Sequence, residues 1–120
     1  MRELMIRTAL ALALLTLAFT GTASAATKTC SLTLNQQRHS GATYLVQLKV
    51  SGVNCATGLK VEKAWQTCRR STAGHMTCKK TVLGYRSTQK VLDSSKTQYD
   101  AKVTAKRGSK VVTFIYTQNK

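Results

Sequence analysis

Four cysteines, Cys30, Cys55, Cys68 and Cys78, stand in the middle of a 120-residue chain, and the use made of them limits the fold more than any other feature. In an exported chain of this size an even cysteine count makes a disulfide framework. In a reducing compartment the same residues would serve metal or redox chemistry. The leader separates the two. "MRELMIR" is a weakly positive n-region, "TALALALLTLAF" is an apolar h-region, and "TGTASA" ends in the small-x-small site Ala23-Ser24-Ala25. The apolar run is short for a membrane span, and "ATKTC" is too polar ahead of Cys30 for a lipoprotein signal. Residues 1–25 are therefore expected to be a signal peptide. Residues 26–120 are expected to form a single secreted domain with two disulfides and no transmembrane segment after cleavage. Three pairings of the four cysteines stay open at this point.

Hydrophobic periodicity supplies the elements. "CSLTLNQ" alternates, with Cys30, Leu32 and Leu34 on one face, and "TYLVQLKV" aligns Tyr44, Val46, Leu48 and Val50; the two read as a hairpin around "RHSGAT". From Asn54, a good N-cap, to about Arg70 the period becomes helical. Thr57, Val61, Ala64, Trp65 and Cys68 share one arc, while Lys60, Lys63, Gln66, Thr67 and Arg70 take the other. Trp65 reads as the core anchor of that helix, and Gly58 beside it suits a close approach to a strand. "CKKTVLGY" is β-like, and "STQKVLDSSKT" is polar with a short strand near Lys90–Leu92. In "YDAKVTAKRGSKVVTFIYTQ", a turn at Arg107-Gly108 pairs Val103 with Val112, Ala101 with Phe114 and Tyr99 with Tyr116, leaving one face wholly apolar. The expected fold class is α+β: one amphipathic helix packed on an antiparallel sheet of about four to five strands, in the order hairpin, helix, strands, hairpin.

Charge then narrows the partners. The expected mature chain sets 17 Lys and Arg against only Glu62, Asp93 and Asp100, a formal charge of +14. An imbalance of this size bears on solubility and on anionic partners rather than on fold. Outside the cell those partners are cell-wall polymers, acidic polysaccharides and extracellular nucleic acid.

Enzymatic constellations fare poorly. A small secreted nuclease would need a carboxylate base on the sheet and a histidine acid converging on one phosphate. Here the only glutamate of the mature part, Glu62, belongs to the helix, and His39 and His75 belong to loops. A Cys68/His75/Cys78 metal site lacks both a standard spacing and a fourth ligand. No phosphate-binding glycine loop and no nucleophile elbow occurs. Neither a catalytic residue, a metal nor a cofactor is expected.

The run "VNCATGLKVEKAWQTC … VLGYRS … YDAKVTAKRGSKVVTFIYTQ" resembles small secreted disulfide domains of actinobacteria whose function is uncharacterised. Their pattern is a Cys-Ala helix, a Gly-aromatic-x-Cys strand and a Val-x-Cys-x-x-Gly segment before a final strand. Cys55-Ala56, Ala64, Cys68, Gly84-Tyr85, Val103, Gly108 and Tyr116 fit it, whereas Ser87 and Ala105 stand where it places cysteines. Joint loss of those two implies that they bridge each other in the relatives. On that resemblance the pairs here are Cys68–Cys78 and Cys30–Cys55.

The Cys68–Cys78 bridge would gather Arg69, Arg70, Lys79 and Lys80 at one end of the helix. The helix dipole accounts for the two arginines and not for the two lysines. Lys106, Arg107 and Lys110 make a second cluster at the last turn, and the sequence does not say whether the two clusters share a face. These seven residues are the anion-binding candidates. The expected function is a secreted, monomeric, non-enzymatic binding domain for an anionic extracellular polymer or surface, with the sequence leaving open whether it stays associated with the wall. The alternatives are a protein-binding inhibitor or toxin-like effector and, behind it, the small nuclease. The leader makes the first measurable claim: intact-mass analysis of secreted protein should give a chain beginning at Ala26, and a retained leader would overturn it.

Overall fold

The computed structural model describes residues 26–38, 42–74 and 76–120; the leader, His39 and His75 lie outside the described residues. Seven elements follow one another: β1 (Lys28–Thr29), α1 (Leu34–Gln37), β2 (Thr43–Ser51), α2 (Cys55–Ser71), β3 (Arg86–Ser94), β4 (Gln98–Arg107) and β5 (Lys110–Asn119). The strands form one antiparallel five-stranded sheet in the order β1-β2-β5-β4-β3, with α2 packed on one face. This is a two-layer α+β domain. Among the described residues no helix is long and apolar enough to cross a membrane.

Helix α2 begins where Asn54 Oδ1 accepts the Thr57 N–H at 2.8 Å, and the hydroxyls of Ser71 and Thr72 both close on the Cys68 carbonyl at its end. Its buried residues are Gly58, Val61, Glu62, Trp65, Gln66 and Arg69, spaced three and four apart. The expected arc was centred too far toward Ala64 and Cys68. Gln66, expected on the solvent side, is buried, where its Oε1 accepts from Arg69, which in turn reaches Thr43 on the sheet.

The sheet's inner face presents Leu45, Leu48 and Val50 from β2, Val112, Phe114 and Tyr116 from β5, and Tyr99, Ala101, Val103 and Ala105 from β4. Trp65 meets Phe114 edge-on with centroids 5.4 Å apart and Tyr116 at 5.6 Å. Side chains of this size cost about 3–5 kcal/mol to truncate in a packed core. Gly58 is the point of closest approach: a Cβ there would lie 2.5 Å from Val50 Cγ1.

Four local expectations are corrected. The "CSLTLNQ" stretch is not a strand: Lys28–Thr29 ahead of it pair with β2, the Cys30 N–H donates to the Leu48 carbonyl, and the chain then leaves the sheet. Thr33 and Gln36 form a reciprocal capping box that starts α1, so Leu34 is 70 % exposed rather than aligned with Cys30. In β2 a bulge between Leu45 and Gln47 reverses the phase, turning Tyr44 and Val46 outward and Leu45 inward. "CKKTV" is not a strand; Val82 and Tyr85 bracket a tight turn and β3 starts at Arg86. The last hairpin pairs Val103 with Phe114, Ala101 with Tyr116 and Ala105 with Val112, two residues from the expected register. Gly108 carries φ +59° as the first residue of a two-residue Gly108–Ser109 loop, the place a type II′ turn reserves for glycine. A shift of two keeps every side chain on its face.

Two disulfides tie the layers. Cys30–Cys55 joins the chain after β1 to the start of α2, and Cys68–Cys78 joins the end of α2 to the segment before β3. On the chain-entropy account the first contributes about 3.5 kcal/mol and the second about 2.8.

Gly58→Ala provides a test of the layer contact. Helix propensity alone favours alanine by about 1 kcal/mol, but overpacking against Val50 should outweigh it and lower stability by about 1–2 kcal/mol net. Combining it with Val50→Ala should cost less than the two single changes summed, as measured by denaturant unfolding.

Candidate functional site

The candidate residues part company in the fold. Arg69 is 2 % exposed and does not reach a surface. Its Nε donates to Gln66 Oε1 at 2.8 Å, its Nη2 donates to Thr43 Oγ1 at 3.1 Å and Gln118 Oε1 at 3.0 Å, and its guanidinium lies 5.0 Å from the centre of the Tyr116 ring. Arg69 is a core residue tying α2 to β2 and β5, so it leaves the set of anion contacts. Arg70 is half-buried beside it. Lys79 and Lys80 are exposed immediately after the bridged Cys78. Lys106 is exposed on β4, and Arg107 and Lys110 face each other across the β4–β5 turn.

Arg107 works as a strut. Leu83 and Gly84, with φ of +50° and +82°, make a two-residue loop closed by both hydrogen bonds between Val82 and Tyr85. A Cβ on Gly84 would sit 3.0 Å from Arg107 Nε, and Arg107 Nη1 points at the Leu83 carbonyl at 3.4 Å. Lys110 lies on the other side of the turn, next to Gly52.

The two clusters are joined by a residue the sequence did not single out. Because α2 covers only one face of the sheet, the alternate residues of β3 and β4 point away from it. There Arg86 is directly opposite Lys106, Thr88 opposite Thr104, and Lys90 opposite Lys102. Like charges facing each other across a strand pair are destabilising, and two such pairs stand on one surface. A groove of about 350 Å³ is lined by Lys79, Lys80, Thr81, Arg86 and Ser87, and one of about 420 Å³ by Arg86, Ser87, Thr88, Thr104 and Lys106. Both grooves share Arg86 and Ser87, so they adjoin, with Lys79 and Lys80 bordering one and Lys106 the other.

The acids are elsewhere. Asp93 faces Asp100 at the far end of the β3–β4 ladder, and Glu62 is fully buried under α2. The Lys90–Lys102 row therefore has carboxylates beyond it, whereas the Arg86–Lys106 end has cations around it.

Side-chain hydrogen bonds, part-buried at β3 and exposed at Met76, hold β3 and the lysine segment in place. Trp65 Nε1 donates to Ser87 Oγ at 2.8 Å, and Tyr116 Oη donates to Gln89 Oε1 at 2.8 Å. The Gln89 amide in turn donates to the Met76 carbonyl at 2.9 Å, three residues before Lys79. The strand expected near Lys90–Leu92 is the middle of β3, which runs Arg86–Ser94. Its first half was illegible because Ser87 and Gln89 occupy inward positions, so polar residues at both phases hide the alternation.

Cys68 and Cys78 are bonded to each other, so they hold no metal, and among the described residues no group of three or more His, Cys, Asp or Glu converges. Comparison with protein-family models, with curated proteins and with solved structures gave no match.

Burial drives the Tyr116 hydroxyl well above its ordinary range, with the neighbouring Tyr99 adding to the rise and Arg69 opposing it. The folded state thus keeps this proton longer than the unfolded chain, whose tyrosines ionise near pH ~10. The stability linked to Tyr116 is fully present below that pH and is lost as pH rises above it. Tyr116→Phe should lower stability at neutral pH by about 1–3 kcal/mol and flatten its decline above pH ~10. Unfolding curves of both proteins across the alkaline range check the difference.

Proposed function

We propose that residues 26–120 form an exported, non-enzymatic domain that binds an anionic extracellular polymer through the depression around Arg86. One observation carries this reading: Lys79, Lys80, Arg86 and Lys106 line two adjoining grooves at the end of the sheet remote from Asp93 and Asp100. Gathering like charges is unfavourable without a ligand, modestly so at exposed positions, and a polyanion would relieve it. The buried position of Glu62, out of reach of a bound phosphate, supports a binding role over a nuclease. The actinobacterial resemblance is supported by Ser87 and Ala105 lying directly opposite each other on β3 and β4, as a bridge between those positions in relatives would require.

Salt dependence tests the reading. Lys79→Gln/Lys80→Gln should keep the fold and both disulfides, weaken binding to a polyphosphate-bearing polymer and flatten the log–log salt slope by about 1.4–1.8. Arg86→Gln/Lys106→Gln should act in the same direction. An unchanged slope in both folded variants would leave these residues as solubilising charge. Tight binding to a secreted protein with little salt sensitivity would favour the inhibitor alternative, whose affinity rests on an apolar hot spot.

A further inference from the structure

We infer that the open face of the β3–β4 ladder is matched to the repeat of an extended phosphodiester backbone, so that it reads phosphate spacing and not bases. The inference rests on the anionic-polymer reading above and names the ligand's chemistry. On this face the rows run Arg86–Lys106, Thr88–Thr104, Lys90–Lys102, each two residues from the last. Two strand residues span about 6.7 Å. They comprise six backbone bonds, and six bonds also separate successive phosphorus atoms in a nucleic acid strand or a 1,3-linked glycerol-phosphate chain. Such a chain laid along the ladder would set one phosphate at the Arg86–Lys106 pair and the next beside the hydroxyl side chains of Thr88 and Thr104. The third would meet Lys90 and Lys102.

Both ends of this track are defined. Beyond Lys90–Lys102 comes the Asp93–Asp100 pair, where a further phosphate is repelled. Beyond Arg86 lies the adjoining groove lined by Lys79 and Lys80, which accept the chain's continuation. The outward positions of β3 and β4 carry no aromatic residue, and the neighbouring outward positions of β5 are Val111, Thr113, Ile115 and Thr117. Base recognition on a sheet uses aromatic stacking platforms, and this part of the face has none. A polyanion of different charge spacing would be held by net charge alone.

The experiment uses the oxidised protein and synthetic oligomers carrying equal numbers of phosphates. These are oligo(dT), its abasic analogue, an oligo(glycerol phosphate), and an oligomer whose phosphates are separated by hexaethylene glycol. The first three should bind with Kd values within about twofold, and the stretched oligomer about tenfold more weakly. Thr88→Val/Thr104→Val should weaken binding of the three six-bond oligomers several-fold without changing the salt slope, since no counterion-releasing charge is removed. Equal binding of stretched and six-bond oligomers would overturn the spacing inference and leave the polymer reading standing. Markedly tighter binding of oligo(dT) than of the abasic oligomer would overturn it by showing that bases are read. Binding to none of the four, nor to heparin, would remove the polymer reading itself.

Discussion

The contact between α2 and the inner face of the sheet is the constraint on which the rest of the domain depends. It is close enough at Gly58 that a single methyl group would collide with Val50. Around that point Trp65 fills the space against Phe114 and Tyr116. A chain this small has one modest core, so nearly all of its apolar burial lies in this one layer. The two disulfides fasten the helix at each end, Cys55 at its start and Cys68 near its finish. Their effect is to limit the unfolded chain more than to add contacts to the folded one.

A consequence of having one helix for one sheet is an uncovered face. Polar residues can occupy it freely, and here β3 and β4 place cations opposite cations. On the buried face most polar groups find a partner, Gln66 Nε2 and Tyr99 Oη being exceptions. Arg69 meets Gln66, Thr43 and Gln118, while Trp65 and Tyr116 reach across to Ser87 and Gln89 of the edge strand β3. The same bonds that dock β3 aim Arg86 outward on the alternate phase. Core satisfaction and surface charge are therefore coupled through a single strand, and Met76, held by Gln89, extends that coupling to the lysine segment.

Much of the architecture was legible where the alternation was apolar. The inner faces of β4 and β5 were read correctly because Tyr99, Ala101, Val103, Phe114 and Tyr116 declare one side, even though the register was off by two; hydrophobic pattern fixes phase, and only turn geometry fixes register. Helix α2 was legible from its cap and period. Its exact buried arc was not, since Gln66 and Arg69 look like surface residues until Thr43 and Gln118 are known to lie beside them. The bulge in β2 and the capping box at Thr33 are local choices that override a simple count of alternating residues.

The candidate site was legible only in its parts. Sequence by itself determined the charge imbalance, the export leader as an expectation, the amphipathic helix and the apolar faces of the last two strands, because each rests on composition or on short-range periodicity. Only the tertiary structure decided that Arg69 is core, that the groove of Lys79 and Lys80 adjoins the groove of Lys106, and that Arg86 lines both. These residues are separated by many positions along the chain, and their meeting depends on the β3–β4 register and on the turn at Leu83–Gly84. Short-range patterns say which way a side chain points; which distant side chains it then faces is set by the pairing of strands and the packing of layers.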